Sequence, residues 1–185
     1  TMLEEHIHLL QDSPHANLLT FKRGSAKLLS QHEIEIDLGG RKKEVVLADY
    51  VVLATGSRPR YLPELPIDEK FVMTSEGIED MDDFPESMVI VGAGVIGCEY
   101  ATIFSGFGKT KVHLIDKGDR ILPFEDADIV EVIERNMENN GVLIHRNSRL
   151  IRMEIKHERV EYELEYDDES KAVFNVAKAL VAVGR

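Results

Sequence analysis

The sequence is short of cysteine, of positive charge and of long apolar runs. Cys98 is the only cysteine in 185 residues, which excludes an internal disulfide and a C-x-x-C or zinc-binding set. Acidic residues outnumber Lys and Arg by 34 to 22, and the net charge of −12 argues against nucleic acid or an anionic membrane surface as a partner. No stretch approaches the roughly 20 apolar residues that span a bilayer, and no charged-then-apolar leader opens the sequence. We therefore expect a cytoplasmic protein without a membrane segment.

A glycine-rich turn is the most informative feature that is present. Residues 88–91 are all apolar, which is typical of a strand buried on both faces, and they lead into Gly92-x-Gly94-x-x-Gly97. Apolar residues then recur three or four apart, as in a helix: Tyr100, Ile103, Phe104 and Phe107. A strand, a glycine turn and a helix in this order predict the phosphate-binding turn of a dinucleotide fold. The alternative is a glycine-rich turn that binds nothing.

Each glycine has a separate expected role in such a turn. Gly92 permits the tight bend, Gly94 lets a pyrophosphate approach the backbone, and Gly97 brings the helix close to the strand. Glu99 follows in the first helical turn, where a carboxylate complements the helix dipole or faces the nicotinamide end of a cofactor. Spacing alone leaves both roles open.

Asp116 closes the next strand at roughly the spacing of 20 residues expected for an acidic ribose-binding residue. A carboxylate there accepts hydrogen bonds from ribose hydroxyls and repels a 2′-phosphate, which favours NAD(H). Lys117 and Arg120 follow closely. They are either solvated loop cations or partners for a 2′-phosphate, so NADP(H) stays open. Cys98 is interpreted as a packing residue, and His113 as a structural residue within a strand.

The remaining pattern predicts an α/β fold with a parallel sheet, helices on both of its faces and a β-hairpin excursion. One predicted helix covers 126–139, with a core-facing side made of Ile129, Val132, Ile133 and Met137. The excursion covers 149–155 and 160–166. Residues 33–54 read as a hairpin whose second strand continues to Ala54, and the proline-containing stretch after Arg58 reads as a connector. These features predict two regions, 1–62 and 63–185.

Three segments together resemble the FAD-dependent pyridine nucleotide-disulfide oxidoreductase family. They are Ala-Thr-Gly-Ser-Arg-Pro over 54–59, the glycine turn through Glu99, and Ala-Val-Gly-Arg over 182–185. Within the family, VIGCEYATIFSGFG over 95–108 and RILPFEDADI over 120–129 are most similar to soluble pyridine nucleotide transhydrogenases. Dihydrolipoamide dehydrogenases are a near second.

The resemblance implies site residues in both regions. Those near a nicotinamide dinucleotide, NAD(H) or NADP(H), would be Gly92, Ala93, Gly94, Val95, Ile96, Gly97, Glu99, Asp116, Lys117, Leu150 and Gly184. Those near FAD in the full-length parent would be Ala26, Thr55, Gly56 and Ser57. No catalytic residue and no metal ligand is expected in this sequence. The region 1–62 would then be a partial FAD-domain segment, and 63–185 the NAD(P)-binding domain.

The sequence also departs from the family pattern. Members begin with an FAD-binding GxGxxG, most of them followed by a redox cysteine pair, and end with a dimerisation domain; none of these is present. We therefore expect a fragment that does not turn over by itself, taken from a homodimeric parent that passes hydride between NAD(P)H and FAD. The apolar strand near 50–54 would then be left without neighbours. A hypothesis of another class is a non-catalytic NADH-binding sensor module.

Overall fold

The computed structural model describes residues 2–12 and 18–185. The chain divides into two compact units, Thr1–Gly56 and Ser57–Arg185. The division falls just before the predicted proline-containing connector. In the described part of the chain, no helix has the length and apolar character needed to span a membrane.

Within residues 2–12 and 18–56, the first unit contains the helix α1 (Met2–Gln11) and a three-stranded antiparallel meander. The strands are β1 (Ser25–Leu28), β2 (Glu33–Asp37) and β3 (Lys43–Leu47). β2 pairs with both neighbours, and Gly39 and Gly40, which both have positive φ, form the turn between β2 and β3. The predicted hairpin over 33–47 is therefore confirmed.

The predicted continuation of β3 to Ala54 is wrong, because the strand ends at Leu47. Residues 49–62 contain neither helix nor strand, so the expected strand through the Ala-Thr-Gly-Ser segment is not formed. A strand needs a neighbour for its backbone hydrogen bonds, and no described segment pairs with residues 49–56. The apolar side chains Val52 and Leu53 are accordingly exposed.

The second unit is built from eight strands, two α-helices and one short 3₁₀-helix. In chain order they are β4 (Val72–Met73), the 3₁₀-helix (Gly77–Asp80), β5 (Ser87–Val91), α2 (Val95–Gly106), β6 (Lys111–Ile115), α3 (Ala127–Asn139), β7 (Leu143–His145), β8 (Ser148–Lys156), β9 (Arg159–Tyr166), β10 (Lys171–Val176) and β11 (Lys178–Val181). Five strands form a parallel sheet in the order β4-β11-β5-β6-β7. A second sheet, β10-β9-β8, is antiparallel. The predicted α/β class, parallel sheet and β-excursion are confirmed.

The prediction of helices on both faces of the parallel sheet is wrong. Alternate residues of the central strand β5 point to opposite faces: Met88 and Ile90 pack with α2 and α3, whereas Val89 and Val91 pack with the antiparallel sheet. The β-excursion therefore covers the face that a second helical layer was expected to cover. An apolar strand indicates burial on both faces, but not which kind of element covers each.

Helix α3 has the predicted extent, but only part of its predicted inner face is buried. Asp126 caps its start by accepting a hydrogen bond from the Asp128 N–H. The predicted residues Met137 and Ile133 pack in the core, together with Val130, which was not predicted. The other two predicted residues, Ile129 and Val132, are exposed. The apolar residues of this helix extend around more than one side, so periodicity alone left the rotation of the helix ambiguous.

Candidate functional site

The glycine turn after β5 is shaped by close backbone contacts. Gly92 has a φ of 102°, and a Cβ on it would lie 2.6 Å from the carbonyl oxygen of Ala182. A Cβ on Gly97 would lie 1.9 Å from the carbonyl oxygen of Gly92. Both distances are far shorter than a van der Waals contact, so the fold of the unit itself requires glycine at these two positions.

Gly94 differs from the other two glycines of the turn. A Cβ on it would meet no atom within 4 Å, and its φ of −76° is open to any residue. Gly94 is the N-cap of α2 and provides no side-chain cap, so the first N–H groups of the helix lack intrahelical partners. Such a helix end attracts anions, and the empty space beside Gly94 gives an anion access to it. The protein's own packing does not require glycine here.

Gly94 lines a cavity of about 550 Å³ at the carboxyl ends of the parallel strands. Ligands of open α/β sheets bind at this edge, where the chain leaves a central strand in opposite directions. Here β5 is followed by β6 on one side, while β11 lies on the other. The lining consists of strand ends, the glycine turn and the segments after β6 and β11: Arg60, Val91, Gly92, Gly94, Val95, Ile96, Ile115, Asp116, Lys117, Leu122, Pro123, Phe124, Glu125, Ser148, Leu150, Ala182, Val183, Gly184 and Arg185.

Asp116 connects the end of β6 to the glycine turn. Its Oδ2 accepts a hydrogen bond of 2.7 Å from the Ala93 N–H, and its Oδ1 accepts one of 2.8 Å from the Gly118 N–H. The backbone of Asp116 is also held, because its N–H donates to His145 O and its carbonyl accepts from Ser148 N. The carboxylate is thereby fixed at the wall of the cavity.

The two cations that follow Asp116 point to different places. Lys117 lines the cavity. Arg120 instead donates from one guanidinium nitrogen to two carbonyl oxygens of its own loop, Pro123 O at 2.6 Å and Glu125 O at 3.2 Å. From the sequence, Lys117 and Arg120 had the same two possible roles, whereas in the structure only Lys117 lies at the cavity.

Two further cations lie on the side of the cavity that β11 forms. The Arg60 N–H donates to Gly184 O at 2.9 Å, and the Arg185 guanidinium donates to Ser57 O at 3.1 Å. Both arginine residues line the cavity. Cationic side chains therefore border the cavity on both sides of the glycine turn, in a chain whose net charge is −12.

The structure brings most of the predicted dinucleotide residues to this cavity. Those that line it are Gly92, Gly94, Val95, Ile96, Asp116, Lys117, Leu150 and Gly184. Ala93 is buried directly behind the wall, with its N–H on Asp116, and Gly97 packs under the turn. Glu99 lies outside this lining, in a neighbouring cavity of about 290 Å³ that shares Ile96 and Arg185 with the first. Its role stays a prediction.

The residues predicted to approach FAD fall mainly in the first unit. Ala26 lies on β1 opposite Ile36, while Thr55 and Gly56 lie in the stretch without regular structure. Ser57 is the first residue of the second unit. Their role near FAD stays a prediction.

Several cavity residues were missed because no motif marks them. Arg60 and Ser148 are brought in by chain segments distant from the glycine turn, and Phe124 lies 98% exposed in the wall formed by the segment after β6. The only signal was the similarity of the segment from Arg120 to the family, which includes Leu122 to Glu125 but gives no orientation.

Cys98 is confirmed as a packing residue. It is buried on the inner side of α2, and its Sγ lies 3.4 Å from the carbonyl oxygen of Ala93. Burial, followed by the negative charges of Asp116 and Glu134, raises the pKa of the thiol to about 12. The thiolate needed for disulfide chemistry is therefore disfavoured at this position.

Two histidine–tyrosine pairs connect the parallel sheet to the antiparallel sheet near this site. His113 Nδ1 lies 2.7 Å from Tyr162 Oη, and His145 Nδ1 lies 2.8 Å from Tyr166 Oη. The two imidazole rings stack with centroids 5.4 Å apart. Burial, followed by His145 and Lys111, lowers the pKa of His113 to about 4, and burial also lowers the pKa of His145. Both imidazoles are therefore neutral at pH 7, and the carbonyl of His145 holds Asp116.

Comparison with known proteins places this geometry in a family. The family model described as pyridine nucleotide-disulphide oxidoreductase matches residues 3–185. A dihydrolipoyl dehydrogenase of Bacillus subtilis is 39% identical over 138 residues, covering 75% of this chain and 30% of that protein. A soluble pyridine nucleotide transhydrogenase of Hahella chejuensis is 40% identical over 134 residues, covering 72% of this chain and 28% of that protein.

Solved structures agree on the fold. The HOCl-induced flavoprotein disulfide reductase RclA from Escherichia coli superimposes with a TM-score of 0.73 at 24% identity, over 98% of this chain and 39% of that one. The chain thus spans less than a third of the length of the two curated relatives. Proteins of the matching family use FAD and NAD(P)H. The glycine turn, the cavity at the carboxyl edge of the sheet and the family match agree, and the chain belongs to the pyridine nucleotide-disulphide oxidoreductase family.

Proposed function

We propose that this chain is the nicotinamide-dinucleotide-binding portion of an FAD-dependent oxidoreductase that passes hydride between NAD(P)H and FAD. The observation that carries the proposal is the space beside Gly94. It lies at the N-terminus of α2, inside the cavity, and no atom of the protein comes within 4 Å of a Cβ placed there. A site that binds no phosphate would have no need of glycine at this position.

The cavity residues match the successive parts of a dinucleotide. The free N–H groups of α2 would hold the pyrophosphate, with Arg60 and Arg185 adding positive charge nearby. Asp116 would accept hydrogen bonds from the adenosine ribose, because each carboxylate oxygen keeps a lone pair beyond its bond to a backbone N–H. A 2′-phosphate would bring negative charge towards this carboxylate. We therefore propose NAD(H) as the preferred form, with Lys117 as the cation that most favours NADP(H).

The protein's contribution to the reaction is orientation of the dinucleotide. The nicotinamide, when bound, supplies the hydride chemistry, with FAD as its redox partner in the full-length protein. The fixed turn between Gly92 and Gly97 sets the depth of the dinucleotide, and Asp116 sets its direction across the sheet edge. Glu99 would lie towards the nicotinamide end, since its cavity adjoins the first one through Ile96 and Arg185.

For the whole protein we propose a soluble NAD(P) transhydrogenase, with a dihydrolipoamide dehydrogenase as the second candidate. The similarity over 95–108 and 120–129 favours the transhydrogenase. The dehydrogenase stays the second candidate because the relatives of the two kinds have nearly the same identity to this chain, 40% and 39% respectively. The full-length gene product discriminates between them: transfer of hydride from NADPH to a thio-NAD⁺ acceptor supports the first, and oxidation of dihydrolipoamide supports the second. We also propose a cytoplasmic homodimer for the full-length protein.

Titration of NADH tests the binding proposal on the chain itself. NADH fluorescence should change on binding, with weak affinity, and the chain alone should oxidise no NADH. The absence of binding at millimolar NADH would overturn the proposal. If the full-length gene product binds NADH but shows no flavin reduction, a non-catalytic NADH-binding module replaces the oxidoreductase.

A matched pair of substitutions connects the binding to the cavity. Gly94→Ala and Gly106→Ala each add one methyl group that meets no protein atom within 4 Å, but only Gly94 lines the cavity. Gly94→Ala should weaken NADH binding by about tenfold or more, because losing a charge-assisted hydrogen bond to phosphate costs about 1.5–3 kcal/mol. Gly106→Ala should leave the affinity unchanged. Equal NADH affinities for the two variants would contradict the binding of a phosphate beside Gly94.

A further inference from the structure

We infer that Arg120 is a positioning residue for one wall of the cavity and is not a ligand of a nucleotide 2′-phosphate. The inference rests on the proposed binding of a dinucleotide and adds to it the role of a residue outside the glycine turn. It removes one of the two cations that the sequence left open as determinants of NADP(H) binding.

The wall in question is the loop between Asp116 and the start of α3. Ile121 and Leu122 are buried and anchor the loop, and the Leu122 N–H donates to Ala93 O at 2.8 Å. The next three residues, Pro123, Phe124 and Glu125, line the cavity although each is exposed to solvent. The hydrogen bonds of Pro123 and Glu125 go to Leu122 and Arg120 of the same loop, so they do not tie this part of the loop to the rest of the unit.

The backbone of Leu122 has a conformation that other contacts must stabilise. Its φ is 46°, in the left-handed region that residues with a Cβ rarely adopt. The chain turns back at this point, and the Glu125 N–H donates to Leu122 O at 3.0 Å. A conformation of this kind persists only when surrounding contacts hold it in place.

Arg120 supplies such contacts. Its guanidinium bonds to Pro123 O and Glu125 O, on either side of Phe124, and so closes the loop onto itself. A guanidinium donating to backbone carbonyls forms charge-assisted hydrogen bonds. Arg120 is absent from the cavity lining, whereas its neighbour Lys117 is present. The 2′-phosphate of a ribose bound to Asp116 would therefore lie near Lys117. To reach that phosphate, the Arg120 side chain would have to break its hydrogen bonds to Pro123 O and Glu125 O.

The position of the loop tells which part of the ligand depends on it. The loop continues from Asp116, the proposed ribose residue, and its wall faces the cavity together with Leu150. The adenosine half of a dinucleotide lies on this side of the glycine turn. Both NADH and NADPH carry that half, so loosening the wall should weaken the two nucleotides equally.

The first experiment measures NADH and NADPH affinities calorimetrically for the 185-residue chain and its variants. Arg120→Ala should weaken both nucleotides by about tenfold, with the ratio of the two affinities unchanged within about twofold. Lys117→Ala should lower NADPH affinity more than NADH affinity. Arg135→Ala removes the same charge from an exposed ion pair with Glu131 and should change neither affinity.

The conservative variant separates charge from geometry. Arg120→Lys keeps the charge but places it on a shorter side chain without the planar guanidinium, so we expect both affinities to remain below those of the native chain. If Arg120→Ala lowers NADPH affinity at least about tenfold more than NADH affinity, and Arg120→Lys restores it, Arg120 is a 2′-phosphate ligand and the inference is overturned.

The second experiment needs no nucleotide. Hydrogen exchange should be about tenfold faster at the Leu122 and Glu125 amides of Arg120→Ala, because opening the loop breaks their bonds to Ala93 O and Leu122 O. The amides of α2 should keep their native rates. Unchanged exchange at the Leu122 and Glu125 amides would overturn the inference that Arg120 holds the loop. If the native chain binds neither nucleotide, the proposed function fails, while this measurement still decides the role of Arg120 in the loop.

Discussion

The two faces of the parallel sheet are both buried, but different interactions hold their covering layers. On the helical face, α2 presents small residues to the sheet, with Gly97, Ala101 and Ser105 buried at intervals of four. On the other face, the antiparallel sheet is joined to the parallel strands by the His113–Tyr162 and His145–Tyr166 hydrogen bonds.

The difference teaches how each layer responds to change. Close approach of a helix depends on the absence of side-chain atoms, so it is sensitive to added volume and insensitive to pH. Buried imidazole–phenol pairs depend on protonation state and on the presence of both partners. Adding a methyl group should therefore damage the first face most, and acid should damage the second.

The largest effect is expected for Gly97→Ala. The new Cβ would lie 1.9 Å from the carbonyl oxygen of Gly92, which belongs to the turn and cannot move independently. We expect a loss of at least about 3 kcal/mol in the free energy of unfolding, at the upper end of overpacking effects. Urea denaturation followed by circular dichroism measures it. Gly106→Ala is the control in the same helix, and equal stability of the two variants would contradict close packing as the cause.

The second effect is a loss of stability in acid that arises from the antiparallel-sheet face. The pKa of His113 is lowered from 6.5 to about 4, so the unfolded chain binds more protons than the folded chain between these values. Stability present above pH 6.5 should thus be lost as the pH falls towards 4, by about 1–3 kcal/mol, since one pKa unit corresponds to about 1.4 kcal/mol. His145, Tyr162, Tyr166 and Lys111 are the titratable groups near this imidazole.

A double variant isolates the histidine contribution from that of the carboxylates. Removing both partners of a buried hydrogen bond is close to neutral at pH 7, so we expect His113→Phe with Tyr162→Phe to fold. Its stability should fall less steeply between pH 6.5 and 4 than that of the native chain, by thermal denaturation. Parallel pH profiles of the two proteins would show that His113 does not cause the acid sensitivity.

The smallest effect tests the rotation of α3 on the helical face. Val132 is 62% exposed, and Val132→Ala should change the free energy of unfolding by no more than about 0.5 kcal/mol. Val130 is 2% exposed, and the same substitution there should cost about 1.5 kcal/mol. Chemical denaturation compares them directly. If Val132→Ala lowers the free energy of unfolding more than Val130→Ala does, the side of α3 that contains Val132 faces the core, as periodicity predicts.

Local patterns predicted much of the candidate site. The strand–glycine–helix sequence at Gly92 and the spacing to Asp116 depend on neighbouring residues, and both features lie at the cavity. The orientation of Arg120 was out of reach, because it depends on carbonyl groups that face it only once the loop has turned at Leu122. Arg60 was missed for a similar reason, since folding alone brings it to Gly184.

The sequence by itself determined four of the five strands of the parallel sheet, the glycine turn and the extent of the long helices, because these follow from apolar periodicity and backbone freedom over a few residues. The two-residue strand β4 was not predicted. Only the tertiary structure decided which layer covers each face, which side of α3 is buried and where β3 ends. These outcomes depend on residues that are distant in the chain, and the type of a residue does not specify which distant residue it will contact.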